Sequence, residues 1–232
     1  MHMKNDIEAD VRTDTAIKIA ALFFVSIMVL AFTTDPIATG TKEGERAPPL
    51  EGKMYNGSSW TTFEMDDYLT TNWTAGDETA PWMLIEFMDT DCPFCVESAD
   101  DVAHDSNYFM KLKASHVNYP GIGPWDGPVV NFVASATQLD IQGHESSREE
   151  IEGFRDRSGD EECASSSCSN RKGDPHRFIY IDDLDQDNMK EWKVPGTPAY
   201  FLIQPDGIVA WSSQEHRQET VAEAIFRLTV EA

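Results

Sequence analysis

Two cysteines separated by two residues carry the clearest chemistry in this sequence. Cys92 and Cys95 enclose Pro93 and Phe94, and the four residues follow an apolar run, Trp82–Met88. Proline suits the first position of a helix because its missing N–H has no partner there and its φ is already set. We therefore expect Cys92 at a helix N-terminus, where backbone N–H groups and the helix dipole favour a thiolate. The pattern predicts a redox dithiol in which Cys95 attacks a mixed disulfide formed by Cys92.

The apolar run contains one carboxylate, Glu86. The run is short and lies between Pro81 and a polar turn, so we expect a buried strand rather than a helix. A carboxyl group buried in that strand has a raised pKa and is able to take a proton from Cys95. The alternative for Glu86 is a partly solvated carboxylate at a strand end. For the cysteine pair, the alternatives are half of a zinc site or an incidental disulfide.

This stretch resembles the active site of thioredoxin-superfamily proteins, in which a central strand runs into Cys-x-x-Cys at a helix start. Many members place a buried acid six residues before the first cysteine, which is the position of Glu86 here. A second match is the segment Val194–Ile203, where the family has a cis-proline that faces the cysteines. The matching residue is Pro198, preceded by Thr197.

The resemblance implies roles for these residues. Cys92, Cys95 and Glu86 would be catalytic. Substrate-binding residues would be the two between the cysteines and the two at the cis-proline: Pro93, Phe94, Thr197 and Pro198. Backbone groups of Thr197 would be free to pair with an extended substrate.

Asn56-Gly57 between two short apolar segments is a strong hairpin signal. An opening hairpin of this kind resembles membrane-anchored TlpA/ResA-type thiol-disulfide oxidoreductases. We therefore expect an α/β fold, a thioredoxin-like three-layer sandwich with a central mixed sheet flanked by helices. An N-terminal β-hairpin extension and one transmembrane helix would precede it.

Further elements follow from local patterns. Strands are predicted over 129–134, 178–181 and 208–211, and helices over 146–157, through Met189 and Trp192, and around Val221–Leu228. The helix over 146–157 would begin at a Ser-x-x-Glu capping box, Ser146 to Glu149. The helix after Cys95 is expected to break near 105–107. The segment 119–128 reads as an ordered surface loop or, alternatively, as a partner-contact loop anchored by Trp125.

The N-terminal region predicts a membrane anchor. Ile19–Phe32 is apolar apart from Ser26, and Lys18 is able to extend its amine to the interface. We divide the chain into a polar segment (1–15), a transmembrane signal-anchor (16–38), a linker (39–49) and a thioredoxin-like domain (50–232). A cleaved signal peptide and a buried helix are the alternatives.

Composition narrows the function. Asp and Glu total 41 against 18 Lys and Arg, a net charge of −23. A chain this acidic is not expected to bind nucleic acid, because phosphate neutralisation needs clustered Lys and Arg. The four cysteines form two close pairs, which suits an oxidising compartment. For Cys163 and Cys168 we expect a local structural disulfide; a relay dithiol that exchanges with Cys92 and Cys95 is the alternative.

We therefore predict an enzyme, a thiol-disulfide oxidoreductase that reduces disulfides of exported proteins outside the cytoplasmic membrane. It would need no cofactor or metal, and its partners would be protein dithiol or disulfide substrates and a membrane-embedded electron donor. Because Asp89, Asp91 and Glu97 would raise the pKa of Cys92, we expect a moderately to strongly reducing couple.

Three other functions are alternatives to this prediction. One is a DsbA-like disulfide-forming oxidase, which runs the same steps backwards. The second is peroxidase chemistry, whose Pro-x-x-x-Thr-x-x-Cys pattern is missing because Ile85 and Asp89 stand in the decisive places. The third is a copper-handling protein that uses the two cysteines and a distal histidine, with the scattered candidates His104, His116, His144 and His176.

Overall fold

The computed structural model describes residues 3–33, 37–112, 123–158 and 173–230. The chain divides into two units, one up to Ile37 and the other from Ala38 onward. The first unit contains a single long helix, α1 (Met3–Thr33). The second unit holds every strand and the remaining helices that the structure describes.

The transmembrane helix predicted over 16–38 is not supported. Among the residues that the structure describes, no helix combines the length and the apolar character needed to cross a bilayer.

Seven strands form one mixed sheet in the second unit. In chain order they are β1 (Glu51–Tyr55), β2 (Trp60–Glu64), β3 (Trp82–Met88), β4 (Val130–Thr137), β5 (Ile179–Asp183), β6 (Ala199–Ile203) and β7 (Val209–Ser212). Their spatial order is β2-β1-β5-β4-β3-β6-β7. The strand predicted around Glu86 is therefore an interior one, with β4 on one side and β6 on the other.

The strand directions follow from the connections. β3, β4 and β5 run parallel to one another, and parallel neighbours need a crossover, which here contains a helix. The other pairs are antiparallel, including the hairpin β1–β2 that turns at Asn56-Gly57. The expected thioredoxin-like mixed sheet, its flanking helices and its N-terminal hairpin are confirmed.

Helices cover both faces of the sheet. They are α2 (Pro93–Phe109), α3 (Arg148–Asp156), α4 (Asp187–Glu191), α5 (Val221–Val230) and a short 3₁₀ helix, Met65–Tyr68. Residues of α2, α3 and α5 pack into one hydrophobic core. A second core, on the opposite face, contains residues of α4 and the 3₁₀ helix.

The alternation of side chains along β3 decides which core each residue enters. Successive residues of a strand point to opposite faces. Trp82, Leu84 and Met88 lie in the core that contains α2, and Met83, Ile85 and Phe87 lie in the other. Glu86 has the parity of the first group. Its carboxyl group therefore points towards α2, which carries both cysteines.

Two local predictions were wrong. Helix α2 continues without a break through 105–107, where Ser106 and Asn107 are buried and the Ser106 hydroxyl donates to the Ala103 carbonyl. Helix α3 is capped by Ser147, whose side chain accepts from the N–H of Glu150. Ser146, the predicted cap, instead shares a hydrogen bond with Thr90.

The alternative of a partner-contact loop anchored by Trp125 was also wrong. Residues 123–128 do form a loop in which Pro124 and Asp126 are exposed, and 119–122 lie outside the described residues. Trp125 is 8% exposed, and its indole N–H donates to the carbonyl of Pro128. Its ring packs against Tyr108, Phe109 and Phe226 at centroid distances of 5.0–6.0 Å. Trp125 is therefore a core residue that connects the end of α2 with α5.

Candidate active site

Cys92 occupies the N-cap of α2, as predicted. Its backbone is extended (φ −74°, ψ 119°), and Pro93 follows at the start of the helix. The N–H of Cys92 donates to the carbonyl of Asp89, which closes the turn between β3 and α2. Both cysteines are free thiols and both are buried, Cys92 at 5% and Cys95 at 1% exposure.

The surroundings of Cys92 favour its ionised form. Its pKa is lowered to about 5, first by a hydrogen bond from the Cys95 thiol. The Thr197 hydroxyl and the backbone N–H groups of Phe94 and Cys95 add to this effect, and burial opposes it. The stabilised thiolate expected at the start of a helix is therefore found.

The acidic residues near Cys92 do not act as the sequence suggested, since none of them is a main influence on the pKa of that thiol. The carboxylate of Asp89 contacts His144 Nδ1 at 2.7 Å and accepts from the N–H groups of Leu139 and Asp91. The Asp91 carboxylate accepts from the N–H of Glu145. Through these contacts the carboxylates of Asp89 and Asp91 fix the neighbouring loop next to Cys92.

Cys95 differs sharply from its partner. Its pKa is raised well above the ordinary value, mainly by burial, and the negative charges of Cys92 and Glu86 add to the rise. Cys95 therefore remains a thiol at neutral pH. It becomes a nucleophile only when a nearby base takes its proton.

Glu86 is near enough to Cys95 for its charge to raise the pKa of that thiol. It is 4% exposed, and burial raises its pKa to about 7. The predicted burial and raised pKa are confirmed, and the partly solvated alternative is excluded. A carboxyl group with this pKa exchanges protons readily at neutral pH.

Tyr200 is a neighbour of Glu86 that the sequence analysis missed. It lies opposite Glu86 in the register of β6 against β3, and its hydroxyl donates to Glu86 Oε1 at 3.1 Å. This hydrogen bond partly offsets the effect of burial on the pKa of Glu86. The only signal in the sequence was that Tyr200 stands two residues after Pro198 in an apolar strand.

The predicted substrate-binding residues surround Cys92. The Thr197–Pro198 peptide bond is cis, and Cys92 Sγ lies 3.4 Å from the carbonyl oxygen of Thr197, within reach of a thiol that donates. Phe94 is 68% exposed beside the thiol. The structure therefore brings both predicted motifs together at Cys92.

Two sets of candidates lie elsewhere. Cys163 and Cys168 fall outside the described residues, as does His116. Over the part of the chain that the structure covers, no group of three or more His, Cys, Asp or Glu side chains is arranged to hold a metal ion. His144 contacts Asp89, and His176 is buried against Tyr180 and the carbonyl of Ala99.

Comparison with known proteins identifies the fold. No family model matches the sequence, and no curated protein matches it. A solved structure of a hypothetical protein from Sinorhizobium meliloti 1021 is similar, with a TM-score of 0.51 and 17% identity over 85% of each chain.

Two solved structures of proteins with a named activity are more distant. A secreted Mycobacterium tuberculosis disulfide oxidoreductase homologous to E. coli DsbE has a TM-score of 0.39 and 15% identity, over 68% of this chain and 78% of that one. A Plasmodium vivax 2-Cys peroxiredoxin has a TM-score of 0.43 and 14% identity, over 76% and 72%. At these TM-scores the two likenesses carry no conclusion about activity. The strand order and the Cys-x-x-Cys pair at the start of α2 are those of a thioredoxin-like fold.

Proposed function

We propose that this protein is a thiol-disulfide oxidoreductase that acts through Cys92 and Cys95. The observation that carries the proposal is the contrast between the two thiols: the pKa of Cys92 is lowered to about 5, and that of Cys95 is raised well above its ordinary value. Cys92 is thus a nucleophilic thiolate at neutral pH, whereas Cys95 stays protonated until a base takes its proton. Thiol-disulfide exchange uses the two in that order.

The reaction proceeds in two displacements. The Cys92 thiolate attacks one sulfur of a substrate disulfide, a mixed disulfide forms, and the other substrate sulfur leaves as a thiolate. Glu86 then takes the proton of Cys95, and the Cys95 thiolate attacks Cys92 Sγ. The second substrate sulfur leaves, and the Cys92–Cys95 disulfide remains. The substrate gains two electrons and the protein loses two.

The direction in which the reaction runs depends on the stability of the Cys92 thiolate, because a stabilised thiolate favours the reduced protein. Relative to a thioredoxin cysteine with a pKa of about 7, a pKa of about 5 for Cys92 stabilises the reduced state at pH 7 by ~2.3 kcal/mol. This moves the reduction potential by ~50 mV, from about −270 mV to ~−220 mV. The couple we propose is therefore moderately reducing.

Disulfide formation in substrates is the second candidate, and the low pKa of Cys92 is the observation that favours it. The oxidant DsbA combines a cysteine pKa of about 3.5 with a potential of about −120 mV. The pKa of Cys92, about 5, lies between this value and that of thioredoxin. The reducing direction is retained as the first candidate because the expected potential is closer to that of thioredoxin.

The substrates that we propose are disulfides in exported proteins, outside the cytoplasm. An exposed Phe94 beside a buried thiol offers apolar contact to a polypeptide rather than to a small polar disulfide. The location and a membrane-embedded electron donor are part of the proposal and rest on the sequence, in which four cysteines form two close pairs.

The reduction potential tests the proposal directly. The full chain is equilibrated with glutathione buffers of graded composition, and the Cys92–Cys95 disulfide is quantified by mass spectrometry of the alkylated peptides. We expect a potential of ~−220 mV. A value near −120 mV would assign the protein to the oxidases. A Cys92 thiol that forms no disulfide with Cys95 in any buffer would refute the proposed function.

A further inference from the structure

Glu86 is enclosed on every side, so a proton that reaches it needs a way out. The titratable groups that face it are Cys92 and Cys95 from α2, Tyr200 from β6 and Tyr180 from β5. Cys92, Cys95 and Tyr180 are buried, and Tyr200 is half-buried. If Glu86 acts as a base once in each catalytic cycle, its proton must return to solvent before the next cycle.

A chain of two hydroxyl groups leads away from Glu86. The Tyr200 hydroxyl donates to Glu86 Oε1 at 3.1 Å. Ser98 Oγ lies 3.3 Å from the same Tyr200 oxygen, and either group is able to donate. The Ser98 hydroxyl also donates to the carbonyl oxygen of Cys95 at 3.4 Å, so its hydrogen has an acceptor when it does not point to Tyr200. Glu86, Tyr200 and Ser98 therefore form one continuous hydrogen-bonded series.

The series ends in a cleft that is open to solvent. Ser98 and Tyr200 are half-buried, and both line a cleft of about 490 Å³ between α2 and the start of α5. Asp101 and His104 of α2 line the same cleft, and Trp211 and Thr220 line its other side. The cleft is large enough for several water molecules. Tyr200 thus contacts a buried carboxyl group through its hydroxyl and also lines the solvent cleft.

The other tyrosine near Glu86, Tyr180, is not connected to solvent by the hydrogen bonds that the structure describes. Tyr180 occupies the same row of the sheet, separated from Glu86 by Ala134. His176 Nε2 contacts the carbonyl oxygen of Ala99, which only accepts, so Nε2 carries the ring hydrogen. Nδ1 then accepts from the Tyr180 hydroxyl. A proton that entered this arm would stop at a backbone carbonyl.

We propose that Tyr200 and Ser98 carry protons between Glu86 and the solvent of this cleft; the inference rests on the proposed exchange reaction, in which Glu86 takes the proton of Cys95. When Cys95 attacks, its S–H bond breaks and an O–H bond forms on Glu86. The Glu86 proton then moves to the Tyr200 oxygen, the Tyr200 proton moves to Ser98 Oγ, and the Ser98 proton moves to water. Tyr200 is neutral before and after the transfer.

The reverse sequence delivers a proton when the protein disulfide is reduced. Water protonates Ser98 Oγ, Ser98 donates to Tyr200, and Tyr200 donates to Glu86. Glu86 then protonates the Cys95 thiolate as it leaves the disulfide. No additional oxidant, reductant or acid is required, because the path only exchanges protons with water.

The test follows two signals in one reaction. The reduced full chain is mixed with the aromatic disulfide DTNB at a pH above the Glu86 pKa of about 7. Absorbance of the released thiolate reports disulfide exchange, and a pH-indicator dye reports protons that reach solvent. The phase that a Cys95→Ser variant lacks is the resolving step. In the unmodified chain, the proton of that step is expected to appear together with the thiolate.

Two variants interrupt the path at different points. Ser98→Ala keeps the hydrogen bond between Tyr200 and Glu86, and alanine suits the helix at that position. Tyr200→Phe keeps the ring and removes the hydroxyl. In both variants we expect proton release to lag behind thiolate release and to be slower by ~10-fold or more. The first phase, which reports attack by Cys92, should keep its rate.

Tyr180→Phe is the matched control because it removes a hydroxyl from the other tyrosine beside Glu86. Its proton release should keep pace with thiolate release, and thermal melting would confirm that all three variants fold. Proton release that stays synchronous in Ser98→Ala and Tyr200→Phe would overturn the path and leave the exchange reaction intact. Absence of any phase dependent on Cys95 in the unmodified chain would overturn the path and the proposed function together.

Discussion

Replacing Cys95 by alanine should raise the pKa of Cys92. The Cys95 thiol supplies the largest influence that lowers this pKa to about 5. A hydrogen bond to a charged group is worth about 1.5–3 kcal/mol, and one pKa unit corresponds to about 1.36 kcal/mol. Loss of the donor should therefore shift the pKa by ~1–2 units, to ~6–7.

Cys95→Ser provides the matched comparison, because its hydroxyl still donates to the Cys92 thiolate while the resolving thiol is lost. The pKa of Cys92 in this variant should stay closer to about 5. The assay is the rate of alkylation by iodoacetamide as a function of pH, with mass spectrometry to follow the peptide that contains Cys92. If the alanine and serine variants titrate at the same pH, the thiol hydrogen bond is not the main cause. The backbone N–H groups of α2 and the Thr197 hydroxyl would then account for the shift.

Three further perturbations have defined outcomes. Glu86→Gln should match the unmodified protein in stability below pH about 4.5 and exceed it by about 3 kcal/mol above pH 7. The reason is that the fold holds the Glu86 carboxyl group in its protonated form, and the folded state loses stability once the pH is high enough to ionise that group. Urea unfolding of the oxidised form at graded pH measures this, and a difference that does not change with pH would contradict it. Trp125→Ala should lower the free energy of unfolding by about 3–5 kcal/mol. A loss within about 0.5 kcal/mol, which is typical of surface positions, would contradict the burial of Trp125. Phe94→Ala should leave stability unchanged and slow exchange with a protein disulfide more than exchange with a small-molecule disulfide; equal slowing of both would remove Phe94 from substrate contact.

The elements predicted well from the sequence are those with local determinants. The apolar run that became β3, the proline that starts α2 and the Asn56-Gly57 turn each specify their structure within a few residues. The burial of Glu86 was predictable for the same reason, since its neighbours on both sides are apolar. Strand ends differed by one to three residues because they depend on pairing partners far along the chain.

The features that the sequence analysis missed depend on contacts between distant residues. Tyr200 reaches Glu86 only through the register of β6 against β3, which joins positions 114 residues apart. Trp125 is buried because the end of α2 and α5 close around it, and a segment rich in proline and glycine carries no local sign of that. The acidic residues after β3 were expected to act on Cys92, but partners from the segment around His144 bind their carboxylates.

Helix α2 is fixed at both of its ends, and this limits how far a redox change extends. Its first turn is tied to the loop after β3 through the N–H of Cys92, and its last residues pack in the aromatic cluster of Phe109, Trp125 and Phe226. Between these ends the helix runs unbroken for 17 residues. Because close-packed interiors have low compressibility, a helix fixed at both ends has little room to bend. We therefore expect the oxidised and reduced proteins to present different surfaces only around Cys92, so that a partner senses the redox state by direct contact there and not through a distant change of shape.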